Sequence, residues 1–344
     1  MIVSTPVEWL ALQRRFCSSP KKGLDLLRSG QLDISTLPMA EAKKDWEQIQ
    51  KMGLKLITWS SEEYPSLLRE IYDPPLVLLS KGKWERWEER HWVGVVGARK
   101  ATSFGKEKTK EFVTALVKEG IGIVSGLAYG IDSEAHKTAL EAGGVTWGVL
   151  GTGPDLIYPT RHRLLAEKMC EQGGYLSEFA LGTPPYAKHF PQRNRIISGL
   201  SSSVIIVEAT LRSGSLISAR FAMEQGREVF VVPPPRDEVA YEGNKKLLED
   251  GATPLENVEQ ILEVIQLQMS GLHETNPPKK KEEKTKEQKI KIVSPILDCL
   301  KKPRSLETLV AELHMPVPTL LVELVKLESQ GLVKKIPGPL WQSL

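Results

Sequence analysis

The spacing of apolar residues divides this 344-residue chain into segments of different character. Over residues 1–75, apolar positions recur at helical spacing and glycines interrupt the pattern, which predicts short helices joined by turns. Pro74 and Pro75 exclude a helix where this segment ends, because proline lacks an amide hydrogen and clashes with the preceding turn. We therefore expect a small helical N-terminal domain over residues 1–75.

From residue 92 onward, short runs rich in valine and isoleucine alternate with longer segments of helical spacing. The apolar runs predict strands at 92–97, 121–126, 145–151, 174–178, 203–209 and 228–233. Strand–helix alternation with nearly continuous apolar strands is typical of a parallel sheet covered on both faces. The predicted fold class is α/β, with a Rossmann-like, doubly wound, mainly parallel sheet over residues 76–268.

A charged segment and a second apolar region follow the predicted sheet. Residues 269–289 are rich in proline, lysine and glutamate, which predicts a solvated linker, because such a composition cannot bury a core. Nonspecific contact with phosphates is the alternative. Over residues 290–344 the spacing predicts three helices and a small hairpin, the arrangement of a winged helix.

The winged helix has few residues suited to reading bases. Its candidate recognition helix, residues 318–331, offers Lys326 against Glu323 and Glu328. Because a helix that reads the major groove normally presents arginine, lysine, asparagine or glutamine, protein contact or packing is favoured for this domain. Lys334 and Lys335 in the predicted hairpin are candidates for phosphate contact.

Composition excludes several classes of protein. The apolar and charged fractions, 41% and 26%, are those of an ordinary globular protein, and a net charge of +3 does not by itself indicate nucleic-acid binding. The three cysteines are far apart and lack metal-site spacing, which predicts reduced thiols in a cytoplasmic protein. We expect no signal peptide, no membrane span, no metal and no cofactor.

Glycines, hydroxyls and basic residues follow the predicted strands at the edge where open parallel sheets bind ligands. Glycines let the backbone approach a ligand, arginine suits phosphate, and a helix N-terminus attracts anions. Ordinary turn and capping chemistry is the alternative for each loop taken singly. The candidate binding residues are Gly97, Arg99, Lys100, Gly126, Arg161, Lys188, Phe190, Arg193, Asn194, Arg195, Arg212, Ser213, Gly214 and Ser215.

One part of this set combines an aromatic ring with several cations. Phe190 stands beside Lys188, Arg193 and Arg195, and a cationic groove with an exposed aromatic is how proteins hold single-stranded nucleic acid. A core position for Phe190 is the alternative. Glu178 and Glu208 end two predicted strands, and we expect them to hold arginines in place rather than act as acid or base.

The sequence gives little support for catalysis. Neither GxGxxG nor GxxxxGK[ST] occurs, so a bound dinucleotide or a phosphate loop of the common kind is not expected. No histidine stands beside a nucleophile elbow, and no histidine pair has zinc-site spacing. We therefore expect a binding protein rather than an enzyme.

Five segments in order, SGLAYGIDSEAH, GTGPDLIYPTRH, FPQRNRIISGLS, VEATLRSGSLISA and GREVFVVP, closely resemble the DNA-processing protein A family (DprA, also called Smf). The resemblance covers residues from about 60 to about 260. It implies a Rossmann-like domain that binds single-stranded DNA, forms a homodimer and helps load a RecA-type recombinase during natural transformation. It places the family's conserved arginine on Arg99 and its lysine–phenylalanine–RNR segment on Lys188, Phe190 and residues 193–195.

The chain departs from the family pattern at three places. Ala98 replaces a serine, His162 stands where asparagine is usual, and three consecutive prolines, 233–235, replace a Pro-Gly turn. None of these changes removes a cation, so we expect binding to be retained.

Two other functions stay open at this point. The same sheet edge resembles that of phosphoribohydrolases of the lysine-decarboxylase-like group, but the loop RSGSLIS, residues 212–218, lacks the glutamate of their PGGxGTxxE motif. The winged helix allows a regulator that binds double-stranded DNA.

Overall fold

A computed structural model describes residues 3–85, 87–235 and 239–272, and in the C-terminal part residues 299–300, 302, 304–313, 320, 324, 327, 333–336 and 340–343. The chain divides into two compact units, residues 1–273 and residues 274–344. Most of the predicted linker, from residue 273 onward, lies outside the described residues.

The first unit begins with the predicted helices, α1 (Pro6–Phe16), α2 (Pro20–Arg28) and α3 (Met39–Lys51). A capping box starts α1: the Thr5 hydroxyl accepts from the Glu8 amide at 3.3 Å, and the Glu8 carboxylate accepts from the Thr5 amide at 2.8 Å. The buried faces of the three helices share an apolar cluster that includes Trp9, Leu24 and Ile49.

The segment before residue 76 also contains a strand, which the wholly helical prediction missed. Strand β1 (Lys55–Thr58) is followed by the short helix α4 (Ser66–Arg69) and pairs antiparallel with β2 (Val77–Gly82). The four residues of β1 contain only two adjacent apolar positions, Leu56 and Ile57, which do not distinguish a strand from one turn of helix.

The predicted mainly parallel sheet is confirmed. In the described residues its strand order is β1-β2-β6-β5-β4-β3-β7-β8-β9. β2 pairs antiparallel with β6, and all pairings among β3 to β9 are parallel. The later strands are β3 (Trp92–Val96), β4 (Gly122–Ser125), β5 (Thr146–Val149), β6 (Gly174–Ser177), β7 (Ser203–Ile206), β8 (Glu228–Val231) and β9 (Thr253–Pro254).

Helices cover both faces of this sheet. They are α5 (Ser103–Lys118), α6 (Ile131–Glu141), α7 (Arg163–Met169), α8 (His189–Gly199), α9 (Ser215–Glu224), α10 (Glu242–Glu249) and α11 (Glu259–Leu272). Because successive strand residues point to opposite faces, Val95 packs in the cluster of α5, α6 and α11, while Val96 packs in that of α8, α9 and α10.

The second unit contains β10 (Arg304–Ser305), α12 (Leu306–Leu313), β11 (Val333–Ile336) and β12 (Leu340–Ser343). β11 and β12 form the predicted hairpin, and β10 adds a third strand beside β12. Leu300, Leu309, Leu324 and Trp341 share its apolar core. Lys334 is exposed on β11, whereas Glu323, Lys326 and Glu328 lie outside the described residues.

Candidate nucleic-acid interface

A cavity of about 540 Å³ opens at the carboxyl ends of β3 and β7. Strands β4, β5 and β6 lie on one side of β3, and β7, β8 and β9 lie on the other. The strand order therefore reverses between β3 and β7, and open α/β sheets bind ligands at such a reversal. The volume is within the usual range for ligand sites.

The structure brings ten of the fourteen candidate residues to the wall of this cavity. They come from the loop after β3, from α8, and from the segment that joins β7 to α9. The ten are Gly97, Arg99, Lys100, Phe190, Arg193, Asn194, Arg212, Ser213, Gly214 and Ser215.

Arg193 supplies a buried positive charge at the back of the cavity. Its Nη1 donates to the carbonyl of Gly126 at 2.6 Å and to that of Val149, and its Nε donates to the Asn194 side chain at 3.1 Å. These carbonyls end β4 and β5, so the sheet itself orients the guanidinium. Burial lowers the pKa of Arg193 to about 10, which leaves it a cation at neutral pH.

Asp132 moderates the charge of Arg193, and its role was missed in the sequence. Its carboxylate accepts from the upstream amides of Gly126 and Ala128, at 3.1 and 3.4 Å. Burial raises the pKa of Asp132, while nearby Arg193 acts to lower it. Its position shortly after β4, at the same edge of the sheet, is the feature of the sequence that could have indicated this role.

Arg195 lies on the other side of α8 and does not line the cavity. Its Nη1 and Nη2 donate to the two oxygens of Glu178 at 3.0 and 2.6 Å, and its Nε donates to Asp73 at 3.3 Å. Burial alone would lower the pKa of Arg195, but the two carboxylates raise it. Glu178 therefore holds an arginine, as the sequence predicted.

Glu208 does not hold an arginine among the described residues, which corrects that expectation. Its carboxylate accepts from the Thr102 amide at 3.0 Å, the Thr102 hydroxyl at 2.8 Å and the Tyr241 hydroxyl at 3.2 Å. The reason is its position: β7 ends beside the first turn of α5, where free amide groups favour a carboxylate. Glu208 thereby fixes the loop that carries Arg99.

Asn194 joins two parts of the cavity wall. Its Oδ1 accepts from Arg193, and its Nδ2 donates to the Gly214 carbonyl at 3.1 Å. Beside it, the Ser213 and Ser215 hydroxyls lie 2.6 Å apart at the start of α9. The first turn of α9 therefore faces the cavity with two hydroxyls and the positive end of a helix dipole.

The mouth of the cavity combines exposed cations with an aromatic ring. Arg99, Lys100 and Arg212 are exposed, and the Arg99 guanidinium carbon lies 5.5 Å from the centre of the Phe190 ring. Phe190 is half-buried rather than a core residue. The ring of Tyr158 lies 5.7 Å from it, so two aromatic rings stand at one side of the opening.

Four candidate residues lie off the cavity wall: Gly126, Arg161, Lys188 and Arg195. Gly126 stands behind Arg193, where a Cβ would lie 2.5 Å from Nη2 of the guanidinium, so only glycine fits. Arg161 is exposed in the turn Thr160–His162, and Lys188 is exposed directly before α8.

His162, one of the departures from the family pattern, has a structural role. Its Nδ1 donates to the carbonyl of Leu127 at 2.9 Å, so this nitrogen carries the proton. Leu127 has a positive φ of 56°, an unfavourable conformation for a leucine. The hydrogen bond from His162 helps to hold the loop after β4 in that conformation.

No described helix has the length and apolarity to cross a membrane. Within the same part of the chain, histidines, cysteines and carboxylates do not gather into a group of three that would hold a metal ion.

Comparison with known sequences shows the same family that the motifs indicate. The family model of DNA recombination-mediator protein A matches residues 55–266. Protein Smf of Escherichia coli (strain K12) is 40% identical over 329 residues, covering 94% of this chain and 82% of that protein. DNA processing protein DprA of Bacillus subtilis (strain 168) is 42% identical over 214 residues, 62% of this chain and 72% of that protein.

Solved structures agree with the sequence comparison. The crystal structure of DNA processing protein A from Streptococcus pneumoniae is 33% identical and aligns with a TM-score of 0.65, over 76% of this chain and 98% of that one. A structure of DNA processing protein A from Helicobacter pylori, described for its single-stranded DNA binding mode, is 31% identical with a TM-score of 0.56, over 63% and 97%. The chain therefore belongs to the DNA recombination-mediator protein A family.

Proposed function

We propose that the cavity between β3, β7 and α8 binds single-stranded DNA with little sequence preference. The observation that carries this proposal is Arg193: a buried guanidinium whose hydrogen bonds go to neutral acceptors and whose charge faces a cavity with cations at its mouth. A buried cation whose charge is offset only in part, here by the nearby Asp132, is costly, and a bound phosphate would supply the rest of the countercharge.

The exposed groups at the mouth suit a nucleic-acid strand. Arg99, Lys100 and Arg212 lie where successive phosphates would pass. Phe190 and Tyr158 offer ring faces for bases, and stacking of a base on an aromatic ring depends little on which base it is. A duplex keeps its bases stacked on one another, so this arrangement favours single strands.

The comparisons support the same proposal. The Helicobacter pylori relative is described for its single-stranded DNA binding mode, and it aligns with 63% of this chain. We extend the proposal to the activity that the family resemblance implies: a homodimer that helps load a RecA-type recombinase during natural transformation and recombination, without enzymatic activity. A cytoplasmic location is consistent with the three free cysteines, Cys17, Cys170 and Cys299.

The test is a fluorescence-anisotropy titration of labelled poly-dT and of a duplex of equal length, at several salt concentrations. The variants are Arg99→Ala and Phe190→Leu, with Arg220→Ala as the matched control, because Arg220 is an exposed arginine of α9 that pairs with Glu224 outside the cavity. We expect salt-sensitive binding to poly-dT that the two cavity variants weaken and the control does not.

Absence of binding to poly-dT, or binding that neither cavity variant weakens, contradicts the proposal. Preference for the duplex would favour the winged-helix regulator instead. Release of a free base from a nucleoside monophosphate, in a parallel incubation, would favour the hydrolase.

A further inference from the structure

The helix that carries Arg193 is tied on its opposite side to the N-terminal helices. In α8, Gln192 Nε2 donates to the carbonyl of Cys17 at 3.0 Å, at the end of α1. Three positions further along α8, Arg195 reaches Asp73. The face of α8 that points away from the cavity therefore contacts the first seventy-five residues directly.

Asp73 connects α8 to the first turn of α2. Its Oδ1 accepts from the backbone amide of Lys21 at 2.7 Å, and its Oδ2 accepts from Arg195 Nε at 3.3 Å. The side chain of Arg195 is 6% exposed and that of Asp73 is 29% exposed, so the contact is largely shielded from water. One carboxylate thus links the start of α2 with the middle of α8.

A third connection runs through Glu178. Its carboxylate binds Arg195, and its backbone carbonyl accepts from the side-chain amide of Gln13 in α1. Gln13 is 2% exposed and Glu178 is 5% exposed. The position of Arg195, and with it the rotation of α8 about its axis, is therefore set from both α1 and α2.

The rotation of α8 matters for the cavity because Arg193 and Asn194 depend on it. Arg193 must reach the carbonyls of Gly126 and Val149, and Asn194 must reach that of Gly214. A binding site needs its groups held within about 0.5 Å of the productive geometry by the shell behind them. A small rotation of α8 would break these bonds without removing any cation.

We propose that the N-terminal helices α1 and α2 position α8 for DNA binding, and that Asp73, Gln13 and Arg195 are positioning residues for a cavity that none of them lines. This inference rests on the proposed function of the cavity. It assigns to the N-terminal helices a direct effect on DNA affinity, beyond their share in the stability of the fold.

The decisive variant is Asp73→Asn, because a positioning role and simple electrostatics predict opposite changes in its affinity for DNA. Removing a negative charge from a DNA-binding protein strengthens its attraction to phosphates. Losing a positioning contact weakens binding instead, and we expect poly-dT affinity to fall about threefold to tenfold, since a hydrogen bond to a charged group is involved. The slope of affinity against salt is expected to be unchanged, because no phosphate contact is removed.

Two further variants make the test independent of Asp73. Gln13→Leu removes the amide that holds Glu178 and changes no charge, so we expect a similar loss of affinity. Glu62→Gln is the matched control, because Glu62 is an exposed carboxylate of the same N-terminal region, and we expect it to bind as the wild type does or slightly more tightly. The full chain is used throughout. The fraction of each protein that is able to bind DNA is measured by titration at high protein concentration.

A role confined to stability would lower the competent fraction or the unfolding midpoint and leave the dissociation constant of the folded protein unchanged. That result, or an Asp73→Asn variant that binds as tightly as Glu62→Gln, overturns the inference. If the wild type itself does not bind poly-dT, the proposed function fails and the inference falls with it. Wild-type binding with unaffected variants would refute the positioning role alone.

Discussion

Arg193 and Arg195 lie two positions apart in α8 and are almost equally buried, with 4% and 5% of their surface exposed. Their partners differ. Arg195 is bound by the carboxylates of Glu178 and Asp73, whereas Arg193 is bound by two backbone carbonyls and an amide oxygen. Because a helix turns by about 100° per residue, the two side chains leave it roughly 200° apart.

The difference shows that the partner, rather than burial, decides what a buried arginine does. Two carboxylates cancel the field of Arg195, so that its contribution is to hold elements together. Carbonyl dipoles orient Arg193 without cancelling its charge, and the nearby Asp132 offsets it in part. Substitutions on the two faces of α8 test this contrast.

The largest expected effect is on stability, from Arg195→Met. The variant leaves Glu178 buried without its partner, and breaking a buried ion pair in this way costs about 3–5 kcal/mol. Urea unfolding followed by tryptophan fluorescence measures the change, since every tryptophan except Trp341 lies in the larger unit. The double variant Arg195→Met with Glu178→Leu should recover most of the lost unfolding free energy. A loss below about 1 kcal/mol in Arg195→Met would mean that the ion pair is not what mainly holds α8 in place.

The next effect is on DNA binding, from Arg193→Gln. We expect poly-dT affinity to fall about tenfold to a hundredfold, the range for losing a charged hydrogen bond. Stability should change less than in Arg195→Met, because the glutamine amide can still donate to one of the carbonyls and Asp132 keeps its bonds from the amides of Gly126 and Ala128. Anisotropy titrations and urea unfolding of Arg193→Gln and Arg195→Met measure both quantities. Equal losses of DNA affinity in the two variants would contradict the proposed difference between the arginines.

A smaller effect is expected for Arg99→Gln, an exposed cation at the cavity mouth. The plot of log affinity against log salt should become shallower by about one unit, because one phosphate contact is lost. Arg195→Met should leave that slope unchanged if it acts only through position. Titrations at four or more salt concentrations give both slopes. A change of slope in Arg195→Met but not in Arg99→Gln would indicate that DNA contacts the Arg195 side of α8 rather than the cavity.

The smallest effect is expected for Asp132→Asn. Burial already raises the pKa of Asp132, and a phosphate bound nearby raises it further, so binding takes up protons at this carboxyl. Affinity in the wild type should therefore increase as the pH falls from neutral toward that pKa. The asparagine variant should bind about threefold more tightly at pH 7, since a repulsive charge is gone, and should lose this part of the pH dependence.

Weaker binding by Asp132→Asn at pH 7, with the fold intact, would show that the carboxylate serves the cavity through its bonds to Gly126 and Ala128 rather than through its charge. Anisotropy titrations of both proteins at matched pH values distinguish the two results.

The sequence predicted the sheet edge and most of the residues that line its cavity, because the rule that ligands bind where parallel strands end needs only strand positions. It did not separate the two arginines. Both lie within α8, which begins at His189. In this helix Phe190, Arg193, Asn194 and Ile197 follow helical spacing on one face, and Arg195 lies on another.

Other details were beyond sequence reasoning because they depend on distant neighbours. Glu178 and Glu208 both end strands, but β6 lies beside β2 and near the N-terminal helices, while β7 lies beside β3 and the start of α5. Only the three-dimensional neighbours decide that the first receives an arginine and the second caps a helix. The carbonyls that orient Arg193 are equally invisible, since every residue has one.

The hydrogen bonds that dock α8 on the N-terminal helices have a consequence for how the chain matures on the ribosome. They join residues 175 and 165 positions apart, in Gln192–Cys17 and Gln13–Glu178. Helices α1, α2 and α3 make mainly local contacts and form early during synthesis, whereas β7 joins the centre of the sheet only after α8 has been made. A nascent chain that ends before β7 lacks Glu208, Arg212 and the start of α9, which complete the cavity wall. The cavity is therefore complete only late in translation.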